Sequence, residues 1–169
     1  MKTSNAKLFN KIALVTTVVL AAGTGISAQA VSPQTAIMAL STEVVANCTI
    51  SAADLSVSGY DTIVAHKDAD FDNQSSLTVA CTKDTSAEVT FNEGGNTSRK
   101  LKDLSGNLLD YELYTDQAGG AVWGSAELSG KTIVGTGEDQ IVPVYMRVSQ
   151  GQNVPAGTYT DSVTATITF

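Results

Sequence analysis

The chain has 169 residues, 43% hydrophobic and 16% charged, with a formal charge of −7. That length suits one domain with a real but modest core. An acidic chain with no basic stripe excludes recognition of nucleic acid or anionic lipid by charge, and its acidity reads as solubility.

Lys2, Lys7 and Lys11 precede an apolar run over residues 12–22, and Ala28-Gln29-Ala30 follows as a small-x-small cleavage site. This order describes a secretory signal peptide over residues 1–30. The run is too short to cross a bilayer and no later segment nears the needed length, so the mature chain is expected to hold no transmembrane segment. Without the three leader lysines the formal charge of −7 becomes −10.

Residues 35–45 come next. Ala36, Met38, Leu40, Thr42 and Val44 share one side of an extended chain, because strand side chains alternate faces. Ser41 and Glu43 lie opposite, while Ile37, Ala39 and Val45 keep the alternation imperfect. Two readings fit this pattern: an ordinary first strand of the chain's own sandwich, or a strand made for the groove of a neighbouring molecule. The chain is divided into residues 1–30, a segment 31–46 that is an N-terminal donor strand on the second reading, and a folded domain 47–169.

Cys48 and Cys81 are the 2 cysteines. In an exported chain they are expected to form a disulfide, contributing roughly 3–4 kcal/mol in the chain-entropy account. Brief strand signals at 48–50 and 55–57 precede a polar interval over 61–75. Leu77, Val79 and Cys81 then alternate cleanly, as do Ala87, Val89 and Phe91. Glycine turns fall at 93–96, 105–107 and 119–120, with Leu109, Tyr111 and Leu113 on a strand between the last two. Residues 122–124, 131–134 and 141–148 follow, and Pro143 in the last of these marks an edge or a strand switch. The final run, 159–169, sets Tyr159, Val163, Ala165, Ile167 and Phe169 against Thr160, Ser162, Thr164, Thr166 and Thr168. No helical stripe appears, and strand signals about every ten residues predict a β-sandwich.

Candidate chemistry is sparse. Asp68, Asp70 and Asp72 open like a calcium loop, but Asn73 replaces the turn glycine and Val79 the bidentate glutamate. The lone His66 has no partners for a triad or a zinc site. Gly135-Thr136-Gly137 lacks the third glycine and the helix that dinucleotide binding requires. Trp123 and the tyrosines suit either a sandwich core or a sugar-binding face. No active site, cofactor or metal is expected, and the chain is not expected to be an enzyme. Attention moves to the two ends. If the last run lies at an edge, its open apolar margin needs an occupant, and strand addition from another chain supplies one.

Several segments in order carry a family resemblance. They are Cys48, the strand ending at Cys81, Leu109-Asp110-Tyr111-Glu112-Leu113-Tyr114-Thr115-Asp116, Val122-Trp123-Gly124, Val142-Pro143-Val144-Tyr145, and Pro155-Ala156-Gly157-Thr158-Tyr159-Thr160-Asp161-Ser162-Val163. Together they resemble the spore coat protein U family, which includes subunits of archaic chaperone–usher pili. The resemblance implies an all-β, immunoglobulin-like sandwich lacking its last strand. It implies a periplasmic chaperone that lends a strand, an outer-membrane usher, and other pilus subunits as partners, with export through the periplasm to the cell surface. It also implies that Ala36, Met38, Leu40, Thr42 and Val44 are donor residues. Ile50, Val163, Ala165, Ile167 and Phe169 would line the acceptor groove or contact the chaperone. The function so implied is a structural pilus subunit that polymerises by donor-strand complementation for adhesion and biofilm growth. The alternatives are a secreted spore coat structural protein and a monomeric, secreted carbohydrate-binding sandwich using Trp123 and nearby tyrosines.

Overall fold

The computed structural model describes residues 33–96, 98–126 and 129–169; the expected signal peptide lies outside them. The chain divides into a leading unit ending at Ser41 and a unit spanning Thr42–Phe169. In the described part of the first, residues 33–41 are neither helix nor strand, and Ile37, Met38 and Leu40 are exposed.

Among the described residues the second unit holds eight strands: β1 (Cys48–Ala52), β2 (Phe71–Cys81), β3 (Ser86–Phe91), β4 (Lys100–Lys102), β5 (Leu108–Tyr114), β6 (Lys131–Val134), β7 (Asp139–Val148) and β8 (Ala165–Thr168). They form two sheets, β1-β2-β7-β5-β4 and β6-β3-β8, and every pairing is antiparallel. Period-2 patterning decides which residues the sheets enclose. Leu77, Val79 and Cys81 of β2, Ala87, Val89 and Phe91 of β3, and Val142, Val144, Met146 and Val148 of β7 are all buried. Their intervening neighbours on the same strands stay at least partly exposed.

Trp123 plugs this core. It is wholly buried, its Nε1 donates to Val89 O at 2.7 Å, and Phe91 meets it edge-on at 5.0 Å. A side chain so enclosed offers no face to a sugar, so Trp123 cannot serve the carbohydrate-binding alternative. Arg99, also buried, donates from Nη2 to Trp123 O at 2.9 Å. It lies 3.4 Å from Glu112, and this ion pair together with the bond to the Trp123 backbone carbonyl helps offset the guanidinium's desolvation.

The structure refines the local readings. β2 begins at Phe71, so part of the polar interval 61–75 is strand, while residues 55–57 form none. Pro143 sits within the central strand β7, paired with Ser76. β5 covers only Tyr145–Val148 of β7, so Pro143 occupies a local edge where a missing N–H leaves no gap in a second ladder. Asp70 and Asp72 both engage Arg147, at 3.1 and 2.6 Å, and among the described residues no acidic cluster suits a metal. His66 is half-buried and stacked on Tyr60 at 5.1 Å.

The cysteines are bonded, with Cα atoms 4.1 Å apart. They are directly opposite residues of β1 and β2, at a pair whose side chains approach closely because no ladder bonds join them. This staple ties the short β1 to the long β2.

Candidate strand-acceptor groove

Each sheet ends in a strand with a free edge. β1 pairs with β2 alone and β8 with β3 alone, and both free edges lie on one side of the sandwich, with some β1 and β8 Cα atoms within 8 Å of each other. No ladder joins them. Backbone donors and acceptors on those edges therefore lack strand partners among the described residues.

Beyond that close approach the two margins part into two cavities that share Leu55, Leu101, Met146 and Asp161. One, of about 320 Å³, lies between residues 52–55 and 161–163 and is floored by core side chains such as Leu77, Leu113 and Val144. The other, of about 660 Å³, continues between residues 55–62 and 154–161. A furrow therefore runs along the sandwich where the core is incompletely covered.

Of the sequence-derived groove residues, Val163 lines the smaller cavity, and the others lie on or next to β1 and β8, the strands whose edges approach. Ile50 on β1 and Val163, Ala165 and Ile167 around β8 are half-buried and pack against the core. Phe169, just past β8, is 55% exposed. Alternation continues backward from β8: Tyr159, Asp161 and Val163 point inward while Thr160, Ser162 and Thr164 are exposed. The strand expected over 159–169 is nevertheless continuous only over Ala165–Thr168. Upstream, Thr164 N donates to the side chain of Asn92 at 2.8 Å instead of to a ladder carbonyl, and Thr160 bridges to Lys102. Met38, Leu40 and Val44, the expected donor residues, are 78%, 85% and 80% exposed, and Ala36 and Thr42 are exposed as well.

Sequence reasoning missed the polar floor of the furrow. Tyr111 Oη donates to Asp161 Oδ2 at 2.8 Å. Asp161 Oδ1 accepts from Ser162 N at 2.8 Å and from Asn96 N and Nδ2 at 3.1 Å. Burial, reinforced by the carboxylate, pushes the Tyr111 phenol well above the ordinary tyrosine value of 10.0. Gly94 makes room for this cluster: its φ is +86° and a Cβ there would lie 2.1 Å from Asp161 Oδ2. The inward parity of residue 161 was available from the pattern, but its partners come from separate strands and turns.

Comparison with known proteins places the fold. The chain is 37% identical over 122 residues to Protein U of Myxococcus xanthus, covering 65% of this chain and 68% of that protein. Its structure is similar to a chain of the crystal structure of the CsuC–CsuE chaperone–tip adhesion subunit pre-assembly complex from archaic chaperone–usher Csu pili of Acinetobacter baumannii. The TM-score is 0.54 and the identity 22%, covering 75% of this chain and 40% of that one, so this chain spans about two fifths of the other's length. The architecture is thus an immunoglobulin-like sandwich short of its last strand. Residues 34–166 match the Spore Coat Protein U domain, and the chain belongs to that family.

Proposed function

We propose that the protein is a structural subunit of a surface fibre, assembled when the N-terminal segment of one copy, or of a related subunit, fills the furrow of the next. The observation that carries this reading is the pair of unpaired edges, β1 and β8, flanking half-covered core side chains. One added strand would satisfy both margins, its backbone supplying bonds and its alternate side chains filling the gap. Neighbouring strands are about 4.8 Å apart, so an inserted strand needs roughly 9.5 Å between its flanks. β8 must therefore move away from β1 where they now lie within 8 Å.

In this reading Ala36, Met38, Leu40, Thr42 and Val44 are the donor residues, and Ile50, Val163, Ala165, Ile167 and Phe169 belong to the acceptor. A periplasmic chaperone lends a strand before assembly and an outer-membrane usher exchanges it, as the family and the chaperone-bound structural relative suggest. The finished fibre lies outside the cell and serves adhesion and biofilm growth. A second reading, a secreted coat built from the same subunit, is favoured by the match to the Spore Coat Protein U domain. Deleting residues 35–45 tests the main reading. The subunit should still be exported and bound by its chaperone, yet electron microscopy should find no fibres. Normal fibres from the deletion would overturn the proposal, and a continuous shell from the intact chain would favour the coat.

A further inference from the structure

The proposed assembly leaves open what sets the register of the inserted strand. A row of apolar side chains slides by two residues at small cost, because one aliphatic contact replaces another. The donor row and the inward row it would meet each carry one polar interruption. In the inward row 159–167 it is Asp161, since the Tyr159 hydroxyl already donates to Pro155 O at 2.9 Å. In the donor row it is Thr42.

Resting on the assembly proposed above, we infer that the Asp161–Tyr111 pair is a polar subsite that recognises the hydroxyl of Thr42 from a second copy, and so fixes both the direction and the register of the inserted strand. Oδ1 is already taken by Ser162 N and by Asn96 N and Nδ2. Oδ2 accepts the Tyr111 hydroxyl at 2.8 Å and keeps its second lone pair, as does the phenol oxygen. Leu77, Leu113, Val144 and Met146 line the same cavity, with Asp54, Ser75 and Ser76 on its β1–β2 side. An apolar side chain laid over the pair would cover the carboxylate without adding a bond, and a hydroxyl displaced by two residues along the inward row would face Val163 or Tyr159 instead.

Geometry turns this into one alignment. Laid antiparallel to residues 159–167, the donor row brings Thr42 to Asp161 when Met38 meets Ala165. The parallel arrangement that matches the row ends puts Met38 on the carboxylate and Thr42 against Ala165. A slip of two residues in the antiparallel arrangement puts Leu40 or Val44 on it. One alignment matches the polar members and keeps the remaining contacts apolar.

Full-length variants expressed in cells that assemble the fibre test the inference. Met38→Cys with Ala165→Cys should trap neighbouring subunits as a covalent ladder in non-reducing gels, whereas Met38→Cys with Val163→Cys should not. Exchanging the two donor residues (Leu40→Thr with Thr42→Leu) should reverse that result, because the hydroxyl then reaches Asp161 two residues out of step. Thr42→Val should speed dissociation of fibres in denaturant about tenfold, the equivalent of one lost hydrogen bond to a charged group. A purely apolar furrow predicts the opposite sign, since valine is the more hydrophobic residue. Wild-type cells without fibres would overturn the assembly itself. Fibres that trap through Val163→Cys in the native sequence, or that Thr42→Val leaves equally or more stable, would overturn the polar subsite alone. Residue 42 is exposed before assembly, so these donor variants leave the subunit's own fold intact.

Discussion

Replacing Cys48 and Cys81 together by alanine should expose how much the staple contributes. The bridge closes a loop of sequence separation 33, which in the chain-entropy account stabilises by about 3–4 kcal/mol. Cys81 is 2% exposed, so the smaller alanine removes a further fraction of a kcal/mol of packing, of order 0.5. Against a stability of about 5–15 kcal/mol for an ordinary domain this is a large share. With a urea dependence of about 2 kcal/mol per M, the unfolding midpoint should fall by about 2 M. Trp123 is the sole tryptophan and is 0% exposed, so its fluorescence reports unfolding of the core without a label. The double variant avoids mispaired thiols, and reducing the wild-type protein should reproduce its curve. A midpoint drop under about 0.5 M would refute the account, because the unfolded chain would then gain little freedom when the loop is opened.

Trp123→Phe deletes the donor to Val89 O and leaves a void beside Phe91; the cost should be about 2–3 kcal/mol, seen as a melting temperature lower by about 8 °C. The Tyr111 phenol is held above its ordinary value of 10.0 first by burial and then by Asp161. Its contribution to stability is complete below pH 10.0 and is lost as the pH rises from there toward its higher folded-state value. Tyr111→Phe should flatten that alkaline decline in a pH series of denaturation curves; an unchanged slope would show that the phenol is not its source. Gly94→Ala sets a Cβ 2.1 Å from Asp161 Oδ2 at a φ of +86°, and calorimetry should find a loss of about 1–3 kcal/mol. A neutral result would mean that the 94–96 turn yields freely.

The sandwich was legible wherever one face of a strand is buried, since burial imposes a period of two on the letters. Leu77, Val79 and Cys81 show it, as do Ala87, Val89 and Phe91. Residues 71–75 escaped because β2 extends there in polar letters, its apolar members diluted by Asp72, Asn73 and Gln74. The ends of the candidate furrow were readable for the same reason as the core, through the clean alternation of Val163, Ala165 and Ile167. Its polar floor was not. Asp161 gains meaning only beside Tyr111 from β5 and Asn96 from a turn, and the sequence holds no local sign of that meeting. Likewise the plug at Trp123 depends on Val89 and Arg99, 34 and 24 positions away.

The two margins of the furrow are unequal in how they would carry load. β1 is clipped covalently to β2 through Cys48 and Cys81, so a tug on that side passes into an eleven-residue strand. β8 offers only a four-residue ladder to β3. If the units join as proposed, tension along them would peel β8 while β1 held fast, making the C-terminal lip the part that yields first.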